Sequence, residues 1–274
     1  MAKLTKAQAK RHSEAVSLLE KDTLTHDEQM FVIEHWQESA QHINSVAGAF
    51  FTPYDLATGL AIEVGPGRII DLCAGIGTLS RSVIDYQHLN GALDVTCVEF
   101  NPAYVEVGRK VVPEANWICA DVLDVPGMDL GHFSTAFSNP PFGRIKREGD
   151  KRAPRYQGSD FEFIVIDIAS HIAGYGVFIL PQMSAGFNYS GRPTYERQVS
   201  GKAFEFQKAT GLHFEAGCGF DTAQYLREWR GVAPICEIVC VEFTATEAAA
   251  SAAPAIEEIA DREPIQFDMF GRAA

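Results

Sequence analysis

Long apolar runs are missing from this 274-residue chain. None approaches the roughly 20 residues that a membrane-spanning helix needs, so no span is expected. The start, Met1-Ala-Lys-Leu-Thr-Lys, leads into a polar helix rather than a signal sequence. Cys-x-x-Cys pairs are missing as well. The six cysteines, at 73, 97, 119, 218, 236 and 240, sit mostly inside apolar segments. They read as reduced core thiols of a cytoplasmic protein and argue against a zinc site. Positive charge is in short supply, with a net charge of −13. A chain that coats nucleic acid over its whole surface needs a basic face, so wholesale coating is excluded and only a local patch is left open. What the chain does have is apolar material, 46% hydrophobic and 11% aromatic, enough for a sizeable core in one large domain or two small ones.

The chain is organised around Ser138-Asn-Pro-Pro-Phe-Gly143. The apolar run Phe133-Ser-Thr-Ala-Phe137 before it reads as a buried strand. Two prolines cannot continue a strand as ladder donors, so this one stops at Asn139. A residue before proline is held extended, which fixes Asn139 and Pro140 with their carbonyls turned away from the sheet. Phe142 then offers an aromatic face at the carboxyl end of the strand, where open α/β sheets bind ligands. A fixed amide, a fixed carbonyl and an aromatic plate suit a flat ring bearing an amino group.

Around this motif the chain alternates strands and helices. Residues 1–44 read as two helices. The second carries a capping box, Thr25-His-Asp-Glu28, ahead of Met30, Phe31, Ile33 and Trp36. Its apolar face suits packing on the main domain, a dimer contact or a DNA-facing arm. Gly48-Ala-Phe-Phe-Thr-Pro53 precedes a third helix, with Thr52 as its expected cap and Pro53 in its first turn. Arg68-Ile-Ile-Asp-Leu-Cys73 is a strand running into the glycine turn Ala74-Gly-Ile-Gly-Thr78, with a helix from about Leu79. That turn lacks the Gly-Lys-Ser/Thr ending of a phosphate-binding loop. With Asp71 at the strand end it suits an ammonium-bearing ligand better than a pyrophosphate.

Asp94–Asn101 is a second strand with Glu99 at its end, 22 residues after Gly77. A carboxylate there grips ribose hydroxyls in nucleoside-binding α/β folds. Asn116–Asp124 is a third strand, and its Asp121 can accept from an adenine amino group or serve as a cap. Gly176–Leu180, Gly211–Gly217 and Ala233–Phe243 complete the set. The pattern predicts an α/β fold with a mostly parallel seven-stranded sheet and an antiparallel edge strand. From about Thr246 the composition turns to Ala, Pro and acids and reads as a flexible tail over 246–274.

With these residues in place, the chain resembles the class I S-adenosylmethionine-dependent methyltransferases, and among them the DNA methyltransferases that modify adenine N6. The resemblance rests on five motifs in order over about Ser45 to Phe243. They are the Phe-Phe-Thr-Pro element ending at Pro53, Asp71-Leu-Cys-Ala-Gly-Ile-Gly77, Glu99, Asp121 and Asn139-Pro-Pro-Phe142. Cys73 and Ala74 stand where the family has a roomier glycine loop. The resemblance implies a Rossmann-like methyltransferase domain over 45–245 behind an N-terminal helical segment at 1–44. It implies S-adenosylmethionine as cofactor, with no metal, held by Phe51, Thr52, Pro53, Asp71, Cys73, Ala74, Gly75, Gly77, Thr78, Glu99, Phe100, Asp121, Val122 and Asn139. It implies catalysis by Asn139, Pro140, Pro141 and Phe142 on an adenine flipped out of duplex DNA. No Pro-Cys dipeptide occurs, which removes the usual nucleophile for methylating cytosine at carbon 5.

Six of the 23 Lys and Arg residues lie just behind the motif, with two acids among them: Arg144, Lys146, Arg147, Lys151, Arg152 and Arg155. They form the expected phosphate grip, joined by Arg192 and Arg197 and by Arg227 and Arg230 around Trp229. Gln266-Phe-Asp-Met-Phe270 resembles the short peptides that bind bacterial sliding clamps, and packing on its own domain is the other reading. No large recognition domain is visible, so a homodimer on a near-palindromic site is one expectation. A bacterial or phage-borne enzyme without a cognate nuclease fits this picture. The same Asn-Pro-Pro-Phe motif serves enzymes that methylate RNA bases or protein glutamine. A non-catalytic DNA-binding regulator on this fold is the alternative of another class.

Overall fold

The computed structural model describes residues 5–37, 51–88, 91–145, 152–229 and 234–243, all within the unit Met1–Thr244. Six strands make the main sheet: β1 (Gly67–Leu72), β2 (Leu93–Glu99), β3 (Asn116–Cys119), β4 (Phe133–Ser138), β5 (Ala173–Pro181) and, last in the chain, β8 (Cys236–Glu242). The order is β3-β2-β1-β4-β5-β8. The first five pair in parallel, and β8 runs antiparallel beside β5, with Phe178 opposite Val239. Helices cover both faces, so the central strands read as near-continuous buried runs, such as Val95–Glu99 and Thr135–Ser138.

One face carries α3 (Tyr54–Glu63), α4 (Thr78–Gln87), α5 (Pro102–Val111) and the N-terminal pair α1 (Lys6–Leu18) and α2 (His26–His35). Both N-terminal helices start with full capping boxes, Thr5 with Gln8 and Thr25 with Glu28. Their buried residues Ala15, Val32, Ile33 and Trp36 belong to the same core cluster as Leu56, Leu60 and Ile69, so the pair packs on the sheet domain. The other face carries α6 (Phe161–Ile172) and α7 (Lys202–Thr210). Ten consecutive residues of α6, Phe161 to Ser170, are buried. Phe163 packs on the sheet side and stacks on Phe206 of α7 at 4.7 Å between centroids. A fully buried phenylalanine contributes roughly 1.5–3 kcal/mol, which makes this ring pair a main fastening of the second face.

The expected seventh strand does not form. Residues 211–217 make a single antiparallel bridge, Glu215 to Cys240, on the outer side of β8. Gly211 and Gly217 take left-handed backbone, φ +74° and +56°, so extended pairing ends on either side of Glu215. The third strand is also shorter than its apolar run. It stops at Cys119, and Asp121 caps a 3-10 helix over Val122–Gly127 instead. The cap expected at Thr52 is absent: Pro53 is the N-cap of α3 and no side chain caps it. A short hairpin, β6 (Phe187–Asn188) with β7 (Glu196–Arg197), lies between β5 and β8 in sequence. No helix among the described residues is long and apolar enough to cross a membrane. The tail 246–274, with Gln266–Phe270, lies outside the described residues.

Candidate active site

Strand order reverses between β1 and β4. β2 and β3 lie on one side and β5 on the other, so the carboxyl ends of β1 and β4 flank the crevice where such sheets bind ligands. Pairing of Asp71 with Phe137 puts the two strands in step to their ends. The Ser138 hydroxyl then donates to the Leu72 carbonyl across the pair. Cys73 and Asn139 therefore leave the sheet side by side.

After β1 the backbone takes left-handed values at Cys73 (φ +63°), Gly75 (+59°) and Gly77 (+89°). Cys73 is the one non-glycine among the described residues with positive φ, and it holds that conformation without the freedom glycine would give. Gly77 is required for a second reason. A Cβ there would stand 2.8 Å from Val112 and 3.1 Å from the Trp117 ring. The turn feeds α4, whose N-cap is Gly77.

A cleft opens above this turn, lined by Phe51, Thr52, Cys73, Ala74, Gly75, Thr78, Leu79 and Asn139. Seven of these eight belong to the cofactor set read from the sequence; Leu79 is the addition, and a leucine in the first turn of a helix carries no signal of its own. Phe51 covers Gly75 and packs against Trp36 (5.8 Å between centroids) and Tyr104 (5.3 Å). The aromatic cluster thus links the N-terminal helices to one wall of the cleft. That link could not be read locally, because Trp36 looked like any apolar helix residue.

The acids at the strand ends do different things. Glu99 clamps the turn: its Oε2 accepts from the Gly75 N–H at 2.8 Å and its Oε1 from the Asn101 N–H at 2.8 Å. Asp121 accepts from the Leu123 N–H at 3.0 Å as cap of the 3-10 helix. Asp71 lies beneath the turn and does not line the cleft. It is fully buried, accepts from the Ser80 hydroxyl at 2.7 Å, and burial pushes its carboxyl up to about 8. Phe100 stands 72% exposed at the end of β2, while Val122 is buried. Pro53 is half-buried beside the cleft residue Thr52.

Asn139 Nδ2 donates to the Thr52 hydroxyl at 2.8 Å, across 87 residues of chain. With the nitrogen end committed, Oδ1 is the end that can accept from an amino group. Pro140 is buried, and Pro141 and Phe142 are half-buried. The Asn139 amide and the Phe142 ring thus stand three residues apart at the carboxyl end of β4, with Asn139 lining the cleft.

The basic set is divided. Arg144, Arg152 and Arg192 are exposed. Arg155 is engaged within the protein: its Nε donates to the buried Asp167 at 3.0 Å, and its own N–H and that of Tyr156 also reach that carboxylate. Arg197 forks onto Glu215 at 3.0 and 3.1 Å. Arg227 is exposed and Trp229 is buried. Lys146, Arg147, Lys151 and Arg230 lie outside the described residues.

No protein-family model matches the chain, and no curated protein sequence is detectably similar. Solved structures are similar. One, from Listeria monocytogenes, is assigned to the class I S-adenosylmethionine-dependent methyltransferases. It superposes with a TM-score of 0.53 at 15% identity, covering 84% of this chain and 71% of that one. The fold is that of the class I methyltransferases. A type I restriction-modification methyltransferase subunit from Streptococcus thermophilus also superposes at 0.53 and 15% identity, covering 81% of this chain. Here the chain spans about half, 49%, of the other's length. At such identity the likeness shows the fold alone.

Proposed function

We propose that this protein is a DNA methyltransferase that transfers a methyl group from S-adenosylmethionine to N6 of an adenine flipped out of duplex DNA. The observation that carries the reading is the hydrogen bond from Asn139 to Thr52, which fixes the Asn139 amide among the residues lining the cleft at the β1–β4 switch point. The cleft residues fit the cofactor. The glycine turn brings backbone to the cleft, Glu99 fixes that turn through the Gly75 N–H, and Phe51 and Leu79 supply apolar walls. When bound, S-adenosylmethionine supplies a methyl group on a sulfonium, already activated for displacement.

The protein's task is then position. Adenine N6 is a poor nucleophile because its lone pair is delocalised into the ring. Asn139 Oδ1 and the Pro140 carbonyl accept from the two amino hydrogens, which favours a tetrahedral nitrogen with its lone pair free to attack. Phe142 stacks on the base, and Pro141 stiffens the loop that carries it. Neither acceptor is basic enough to keep the proton released after transfer, which passes to solvent. Arg144, Arg152 and Arg192, with Lys146, Arg147 and Lys151, contact phosphates. Asp121 would hold the cofactor's adenine through its amino group. A homodimer and a clamp contact through Gln266–Phe270 extend the same reading.

Tritiated-methyl transfer to duplex DNA, RNA and release factor, run side by side, tests it. Label in DNA, recovered as N6-methyladenine, is expected. Label confined to RNA or protein would assign the acceptor to the other amino-methylating enzymes. Binding of DNA with no transfer would make the chain a regulator. Asn139→Ala should lower transfer by roughly 100-fold, the usual scale for removing one preorganised polar group at a reacting centre.

A further inference from the structure

Glu162 was not among the residues expected to matter. It sits in the first turn of α6, only 2% exposed, and its two oxygens reach different loops. Oε2 accepts from the Gly143 N–H at 2.7 Å. Oε1 accepts from the Ser184 hydroxyl at 2.9 Å. Gly143 closes the loop that starts at Asn139, and Ser184 closes the short 3-10 helix that follows β5. The Gly143 carbonyl is also taken, by the Phe161 N–H at 2.8 Å. Two consecutive residues of α6 thus hold both backbone polar groups of Gly143, whose φ of +79° turns the chain at this point.

We infer that Glu162 is a positioning residue: it locks the Asn139–Gly143 loop to the turn at Ser184 and so fixes the angle at which an acceptor amino group meets the cleft. The inference rests on the methyl-transfer reading, but the lock itself is independent of it. Hydrogen bonds donated to a buried carboxylate are strong and directional, so the loop takes its position from α6 rather than from solvent. A misplacement of about 1 Å at a reacting centre costs roughly 100-fold in rate.

Three variants test this, each with two readouts. Glu162→Ala should lower kcat by roughly 100-fold while cofactor Kd, measured by calorimetry, changes by no more than about twofold, because of the residues lining the cleft only Asn139 belongs to that loop. Amides of 139–145 should exchange faster, with those of β1 unaffected. Glu162→Gln should rescue both readouts, since its carbonyl accepts from Gly143 and its amide donates to Ser184. Ser184→Ala breaks one arm only and should fall between wild type and Glu162→Ala. It carries the test if Glu162→Ala fails to fold. Unchanged exchange at 139–145 in Glu162→Ala or Ser184→Ala would overturn the lock. A Gln variant as inactive as the Ala variant would overturn the positioning role in favour of charge or proton chemistry. If the wild-type protein transfers methyl to no acceptor, the proposed function fails, while the exchange measurement still decides the lock.

Discussion

Replacing Thr52 with valine probes the orientation of Asn139 without touching Asn139. Valine keeps the shape and removes the oxygen that accepts from Asn139 Nδ2 at 2.8 Å. Thr52 is 7% exposed, so water has poor access to replace it. A hydrogen bond of this kind contributes about 0.5–1.5 kcal/mol net. If all of it serves to hold Oδ1 toward the acceptor, the methyl-transfer rate should fall about 2- to 12-fold at about 1.4 kcal/mol per factor of ten. Thr52 also lines the cleft, so cofactor Kd is measured alongside, and single-turnover transfer at saturating cofactor isolates the orienting effect. Thr52→Ser, which keeps the hydroxyl, should behave as wild type. The decisive step is a double-mutant cycle. If Thr52 acts through Asn139, adding Thr52→Val to Asn139→Ala should change the rate by no more than about twofold. Equal rates for the Val and Ser variants, or full additivity in the cycle, would refute the argument.

Burial raises the Asp71 carboxyl to about 8, against about 3.9 in an unfolded chain. Between those values the folded protein holds a proton that the unfolded chain has lost. Stability should therefore fall as pH rises from about 4 to 8, by up to about 1.4 kcal/mol per unit. Asp71→Asn should flatten that slope in urea melts, and parallel slopes for mutant and wild type would count against the assignment. A Cβ on Gly108 would stand 2.1 Å from the Trp117 ring, so Gly108→Ala should cost about 1–3 kcal/mol in chemical denaturation. Wild-type stability in that variant would mean that α5 does not press on β3 as described. Arg144→Ala and Arg152→Ala should each reduce the slope of log K against log salt for DNA binding by about one, measured by fluorescence anisotropy. Arg155→Ala, whose guanidinium is held by Asp167, should leave that slope nearly unchanged and lower stability instead. A full unit of slope lost at Arg155 would return it to the DNA face.

Elements with a local cause were legible. Two prolines end β4 at Ser138, Thr25 and Glu28 start α2, and a glycine turn follows β1. The strand count was not legible, because 211–217 has strand composition and only the glycines' left-handed backbone limits it to one bridge. Asp121 looked the same as a cap or as a ligand, and its Oδ1 caps the 3-10 helix, a role that does not exclude the other. Arg155 looked like its basic neighbours until the fold set the buried Asp167 beside it.

By itself, then, the sequence determined six of the seven expected strands, the proline-set end of β4, and which chemistry-bearing residues stand near the strand ends. Each of these follows from proline geometry, glycine freedom and apolar periodicity within a few residues. Tertiary structure alone decided what those residues touch. Thr52 meets Asn139, Glu162 meets Gly143 and Ser184, and Phe51 meets Trp36 and Tyr104, across separations no local rule spans. Hydrogen bonds and ring contacts form only when parallel strands in register bring distant chain ends to one edge, and that register is a property of the whole sheet.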